Sequence, residues 1–263
     1  MNLQIHGKRA LVTGSTAGIG LEIARKLAKE GADVIVTGRT QAKIDYAVQS
    51  IRASGGASVR GVLANAATAD GAAALRSALP EVDILVNNLG IFEIKPFVDL
   101  SDADWIYYFE TNVLSGVRLA REYFPGMLER DWGRIIFISS ESALLIPGAM
   151  IHYGMTKTAQ LAVSRGLAEL TRGTQVTVNS VLPGPTRSEG SIDFLRSTST
   201  DPDASAEQLE ADFFAKFRPS SLLQRMTEPE EIANLVAYVA SPLSSATNGA
   251  ALRVDGGVVP TIG

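Results

Sequence analysis

The chain of 263 residues contains no cysteine. Neither a disulfide framework nor a thiolate metal site can form. Histidine is almost as scarce: His6 and His152 stand far apart, with no zinc-type spacing. No metal is expected. No apolar run approaches the ~20 residues of a membrane-spanning helix. The opening stretch MNLQIHGKRALV lacks the apolar core and cleavage site of a signal peptide. A cytoplasmic protein without a membrane partner is the expectation. Positive charge is not in excess either. The net charge is −4 and Lys and Arg do not cluster, so nucleic acid is not an expected partner. What remains is ordinary for a globular domain: 46% apolar and 20% charged residues. The length suits one large α/β domain, and no linker or unrelated repeat divides it.

The chain alternates short apolar strands with amphipathic helices. Residues 9–13 (RALVT) read as a buried strand, 21–30 as a helix with Leu21, Ala24, Leu27 and Ala28 on one face, and 32–37 (ADVIVT) as a second strand. Between the first strand and the helix lies Gly14-Ser15-Thr16-Ala17-Gly18-Ile19-Gly20. Glycines let a backbone approach a pyrophosphate closely, and a helix N-terminus offers it free N–H groups and partial positive charge. The second strand ends in Gly38-Arg39-Thr40. A carboxylate there would hold a ribose diol, whereas an Arg accommodates a 2′-phosphate. NADP(H) is therefore expected over NAD(H), which stays the alternative.

Further along, 41–53 read as a helix and 59–64 as a strand ending at Asn65, whose amide could meet an adenine edge. Residues 68–79 read as a helix, and 82–86 as a strand ending in Asn87-Asn88-Leu89-Gly90. A loop there falls at the carboxyl edge of the sheet, where open α/β folds bind ligands. Residues 102–124 predict a long helix with Asn112 inside it, continuing to 130. Residues 134–139 form a strand followed by Ser140-Glu141-Ser142, and 176–182 a strand followed by Pro183-Gly184-Pro185-Thr186. Residues 190–219 break the rhythm, with only 209–217 amphipathic. This irregular insert, taken as 188–220, is a lid candidate. A helix over 229–240, with Thr227 as its cap, and a strand over 250–254 close the chain.

Between the fifth and sixth strands, Tyr153 and Lys157 stand four residues apart, on one face of a predicted helix running to about Leu170. A phenol is a poor acid or base near neutrality. A cation beside it favours the phenolate, so Lys157 is expected to lower the Tyr153 pKa. The pair could then exchange a proton with a carbonyl or alcohol oxygen.

Taken together these motifs resemble the short-chain dehydrogenase/reductase family over nearly the whole chain, and within it the 3-oxoacyl-carrier-protein-reductase-like members. Thr13-Gly14-xxx-Gly18-Ile19-Gly20 resembles its cofactor loop, and Asn87-Asn88-Leu89-Gly90 its NNAG motif, with Leu89 where Ala is usual. Asn112, Ser140, Tyr153 and Lys157 stand at the spacings of its catalytic tetrad. Ser140 precedes Tyr153 by thirteen residues, which selects it over Ser139. Pro183-Gly184 resembles the turn before the nicotinamide-contacting segment, which includes Thr186.

The resemblance implies a single doubly wound parallel sheet, a Rossmann fold with helices on both faces. It also implies hydride transfer between NADP(H) and a carbonyl or secondary alcohol. Ser140 then serves as donor to the reacting oxygen and Tyr153 as general acid or base. Lys157 lowers the phenol pKa and bonds the ribose, and Asn112 anchors a relay water. Ala17 departs from members that hold NADP with a base in the glycine loop. A non-enzymatic nucleotide sensor would not need the Asn-Ser-Tyr-Lys set. A homotetramer or dimer is implied, with 113–124 and 161–170 either forming an interface or covering the sheet. The pocket wall is expected to include Leu89, Glu141, Ser142, Leu144, Ile146 and the lid. His152, about 100° round the helix from Tyr153, has no expected role.

Overall fold

The computed structural model describes residues 2–262, apart from 57, 189, 200 and 202. Its strands are β1 (Arg9–Val12), β2 (Asp33–Gly38), β3 (Val59–Leu63), β4 (Ile84–Asn87), β5 (Gly133–Ile138), β6 (Val176–Pro183) and β7 (Ala251–Val254). They pair in parallel in the order β3-β2-β1-β4-β5-β6-β7. Val12 faces Val36 on one side and Val86 on the other. The order reverses between β1 and β4, so the carboxyl ends of these two strands flank the crevice in which such sheets bind ligands.

Both faces of the sheet are covered, which is why the strands read as continuous apolar runs and not as alternations. Ala10, Val12, Val34, Val36, Val86 and Ile136 pack on one side with Ile23 and Leu27 of α1 (Gly18–Lys29), Ile44 and Ile51 of α2 (Gln41–Ala53), and Ile232 and Val236 of α9 (Pro229–Val239). Their neighbours Leu11, Ile35, Leu85, Ile135 and Phe137 point to the other side. There they meet Leu75 of α3 (Ala69–Ala78), Leu119 and Tyr123 of α5 (Ser115–Glu129), and Ala168 of α6 (Ile151–Glu169). Of the apolar residues expected either to form an interface or to cover the sheet, Leu119, Ala120, Tyr123 and Phe124 are buried against it within the one chain; Val163 and Leu167 pack partly buried on the same cluster, and Leu170 is exposed. Among the described residues, no helix is long and apolar enough to cross a membrane.

Three local expectations need correction. The long helix over 102–124 is interrupted: α4 (Asp102–Phe109) passes into a π-helical turn, Glu110–Leu114, before α5. A π turn widens the helix by one residue and redirects its carbonyls, a feature common at functional sites. The region 190–219 is not irregular. It carries α7 (Ser191–Thr198) and α8 (Ala206–Phe217), which bury Leu195, Leu209, Phe213, Phe214 and Met226 in an apolar cluster of their own. Ser205 and Gln208 form a capping box that starts α8. Finally, α9 is capped by Glu228, not Thr227. The Glu228 N–H donates to Glu231 Oε2 at 2.8 Å, while Thr227 Oγ1 lies 3.0 Å from Thr186 Oγ1 and ties α9 to the loop after β6.

Phe137 fills the space beneath α5 and is fully buried. Phe137→Ala is expected to cost about 3–5 kcal/mol of unfolding free energy. Thr68→Ala, which removes the side-chain cap of α3, is expected to cost about 1 kcal/mol. Urea denaturation of both variants checks the difference.

Candidate active site

The glycine loop after β1 is built as an anion cradle. Gly14 turns the chain in the left-handed region, with φ at 62°. At Gly20 a Cβ would stand 2.3 Å from the Gly14 carbonyl oxygen, so only glycine allows the loop to fold back on α1. Ala17, the N-cap of α1, gives the first turn no side-chain acceptor, which leaves its N–H groups to a ligand. Ser15 does not face that space: its Oγ donates to the Val12 carbonyl at 2.6 Å and accepts the Thr37 N–H at 3.0 Å. Thr16 packs against Gly38 at the end of β2. The loop after β4 is bound to the same turn. Thr13 Oγ1 accepts the N–H groups of Asn88 and Leu89, and Asn88 Nδ2 donates to the Thr13 carbonyl.

A cavity of about 230 Å³ opens at the carboxyl edge of the sheet beside this loop. Its walls bring together Ile19, Gly90, Ser140, Tyr153, Lys157, Pro183, Gly184 and Thr186 from five separate segments. Ser139 also borders the cavity, but its Oγ donates to the Lys157 main-chain carbonyl at 2.9 Å. Lys157 is 4% exposed. Its ammonium donates to the Ile138 carbonyl at 3.0 Å and to Gln160 Oε1 at 3.4 Å, and lies 5.5 Å from the centre of the Tyr153 ring.

Asn112 sits in the π turn and spends its amide on Ile91 and Thr156: Oδ1 accepts the Ile91 N–H at 2.8 Å, and Nδ2 donates to the Ile91 carbonyl and to Thr156 Oγ1, each at 3.0 Å. Its main-chain carbonyl accepts from Gln160 Nε2 at 2.6 Å. Asn112 thus reaches Lys157 through Gln160.

The remaining expected residues lie outside the cavity. Asn87 is buried under Gly116 beside Phe137, with no hydrogen-bond partner for its amide among the described residues. Asn65 is exposed, its Oδ1 accepting the Ala67 N–H at 3.3 Å. Arg39 is exposed just beyond the end of β2. Of the expected wall, Glu141 and Ser142 line the cavity. Leu89 instead packs on the core, and Leu144 and Ile146 are nearly half exposed. His152 is buried against Tyr108, ring centres 4.3 Å apart.

Phe194, Phe213 and Arg218 enter the wall from the segment expected as a lid, 188–220, whereas Phe92 had no sequence signal. Gln160 had one, since it follows Lys157 by three residues and shares its helix face.

The electrostatics overturn one expectation. The Tyr153 phenol is pushed up from its ordinary value, first by burial and then by the Glu141 carboxylate, against the opposing pull of Ser140 and Arg218. The net shift is upward although the Lys157 ammonium stands nearby. Burial instead brings the ammonium itself down to about 8. Removing both groups from water outweighs their mutual effect.

The family model for short chain dehydrogenases matches residues 8–197. An uncharacterized oxidoreductase of Bacillus subtilis, YvaG, is 48% identical over the full length of both chains. The chain belongs to the short-chain dehydrogenase family. It is an NAD(P)-dependent oxidoreductase of that family, and its sheet is the family's doubly wound parallel sheet. The 3-oxoacyl-[acyl-carrier-protein] reductase FabG of Aquifex aeolicus is 31% identical, covering 98% of this chain and 100% of that one. Among solved structures, L-sorbose reductase from Gluconobacter frateurii, complexed with NADPH and L-sorbose, superposes with a TM-score of 0.93 at 32% identity, over the whole of both chains.

The depressed Lys157 value has a consequence for stability. Below pH 8 the buried ammonium is charged in both states, and its full penalty is present. Between about 8 and 10.5 the unfolded chain holds more protons, so this contribution improves as pH rises. Lys157→Met, which leaves the Ile138 carbonyl without its donor, is still expected to raise the unfolding free energy at pH 7 by about 1–3 kcal/mol. The gain should shrink as pH climbs from 8 towards 10, as read by denaturant unfolding at each pH.

Proposed function

We propose that this oxidoreductase transfers a hydride between NADP(H) and a carbonyl or secondary alcohol, with Tyr153 as the proton-transferring residue. The observation that carries the reading is the meeting of Tyr153, Ser140 and Lys157 in one cavity beside the glycine cradle. Burial keeps the phenol protonated at neutral pH, which is the state a general acid must be in to give its proton to the oxygen of a ketone. The cradle fits a pyrophosphate, since the Gly20 contact brings the backbone of the loop close and the first turn of α1 lacks a side-chain acceptor. When bound, the nicotinamide supplies or accepts the hydride.

Each residue then has a part. Lys157 offers its ammonium to the ribose and to the far side of the phenol. Gln160 and the Asn112 carbonyl steady Lys157, and the Asn112 amide fixes the loop after β4 through Ile91. Ser140 donates in this structure to Glu141 Oε2 at 2.5 Å, so it must turn its proton towards the substrate oxygen to act as a donor there. Helices α7 and α8 supply Ser191, Phe194 and Phe213 to the outer wall and act as the lid. Arg39, exposed and with no side-chain partner among the described residues, is placed to meet a 2′-phosphate. The NADPH of the L-sorbose reductase structure supports the same cofactor.

Two measurements test this reading. In a screen of keto acids, sugars, steroid ketones and β-ketoacyl thioesters, Tyr153→Phe should lower kcat at least about 100-fold for whichever carbonyl is reduced. Near wild-type turnover would remove Tyr153 from the role. In fluorescence titrations NADPH should bind at least about 10-fold more tightly than NADH, with Arg39→Ala removing most of the difference. A tighter NADH would favour the NAD(H) alternative.

A further inference from the structure

One ion pair in the cavity wall is not used by the reaction as described. Glu141 follows the carboxyl end of β5, and Arg218 follows α8, 77 residues away in sequence. Their side chains are 5% and 12% exposed, and both line the cavity that holds Tyr153. Glu141 Oε1 accepts from Arg218 Nη2 at 2.9 Å, Arg218 Nε at 3.1 Å and Ser142 Oγ at 3.2 Å. Oε2 accepts only from Ser140 Oγ, at 2.5 Å. Of the five guanidinium N–H groups, two serve Glu141 and one serves the Phe217 carbonyl, at 2.8 Å. Among the described residues the pair therefore keeps an acceptor position on Oε2 and two N–H donors, with no net charge.

The chemistry of these open positions is selective. A hydroxyl donates and accepts at once, so one hydroxyl can satisfy Oε2 and an arginine N–H together. An alkyl group would cover both and satisfy neither, which is costly in a buried wall. A carboxylate would be drawn to Arg218 but repelled by Oε2. To displace Glu141 it would have to strip a buried carboxylate of its partner. The position of the hydroxyl is fixed as well. Glu141 is hydrogen-bonded to Ser140, and both line the cavity that holds Tyr153, so the pair lies near the reacting oxygen.

We propose that Glu141 and Arg218 form a charge-neutral recognition pair that selects uncharged ketones bearing a hydroxyl on the adjacent carbon, and vicinal diols in the reverse direction, over plain ketones and keto acids. The inference rests on the carbonyl-reductase reading above and deepens it to a substrate class.

Three probes on one acetyl frame test it: hydroxyacetone, butanone and pyruvate, each assayed for kcat/KM with NADPH. Wild type should favour hydroxyacetone over both others at least about 10-fold, as a hydrogen bond to a charged group allows. Glu141→Gln leaves the Arg218 charge without its counter-ion. It should lower the hydroxyacetone-to-butanone ratio and raise pyruvate relative to hydroxyacetone, each at least about 5-fold. Arg218→Gln should lower the first ratio without raising the second, and serves alone if Glu141→Gln does not fold. A smaller wild-type preference, a preference for pyruvate, or variants that slow all three probes in proportion would overturn the proposal; the last result would mean that the pair only fastens α8. Absence of hydroxyacetone turnover by an enzyme that reduces another carbonyl overturns it too. If no carbonyl at all is reduced, the reductase reading falls and the inference with it.

Discussion

The organising constraint is the burial of the parallel sheet on both faces. Each strand buries its side chains above and below, and each backbone bonds its neighbours. Polar side chains from distant segments can then converge mainly at the strand ends. At the carboxyl ends the chain leaves the sheet through loops, and at the β1/β4 reversal these loops part to leave a crevice. The glycine turn after β1, the Asn88 loop after β4, Ser140 after β5 and Thr186 after β6 all exit into this space.

Convergence at that edge creates an electrostatic problem that the hydrogen bonds solve in part. Among the described residues no carboxylate bonds Lys157, and Glu141 acts on it only through space. Lys157 is held by the Ile138 carbonyl and by Gln160, whose own amide is fixed by the Asn112 carbonyl. The π turn contributes Asn112 to this chain, its main-chain carbonyl serving Gln160 while the side chain holds Ile91 and Thr156. The cost appears as a weakened grip of Lys157 on its proton, and the same dryness strengthens the phenol's hold on its own. One cavity thus keeps the proton on Tyr153 and poises Lys157 near neutrality.

Much of this was legible in the chain itself. The βα alternation follows from apolar periodicity, and the span of α2 agrees at both ends because Thr40 and Ser54 bound a clean amphipathic run. The glycine turn, Ser140, Tyr153 and Lys157 are local motifs, and local motifs survive in sequence. The expectations that failed depended on contacts across long distances. The 190–219 segment looked irregular because its two helices are short and bury their apolar residues against each other and Met226. Leu144 and Ile146 were assigned to the pocket by adjacency, yet the loop turns them outward.

The sequence by itself determined the family, the parallel sheet, the glycine turn after β1 and several of the residues that share the cavity, because each of these is set by short-range pattern and spacing. Only the tertiary structure decided the sign of the Tyr153 shift, the route from Asn112 to Lys157 and the pairing of Glu141 with Arg218. A pKa depends on how much water remains around a group, and an ion pair on which segments fold against each other. The Tyr153/Lys157 spacing looked like a cation easing a proton off a phenol. In the folded cavity desolvation outweighs that attraction, and the phenol holds its proton more tightly than a free tyrosine does.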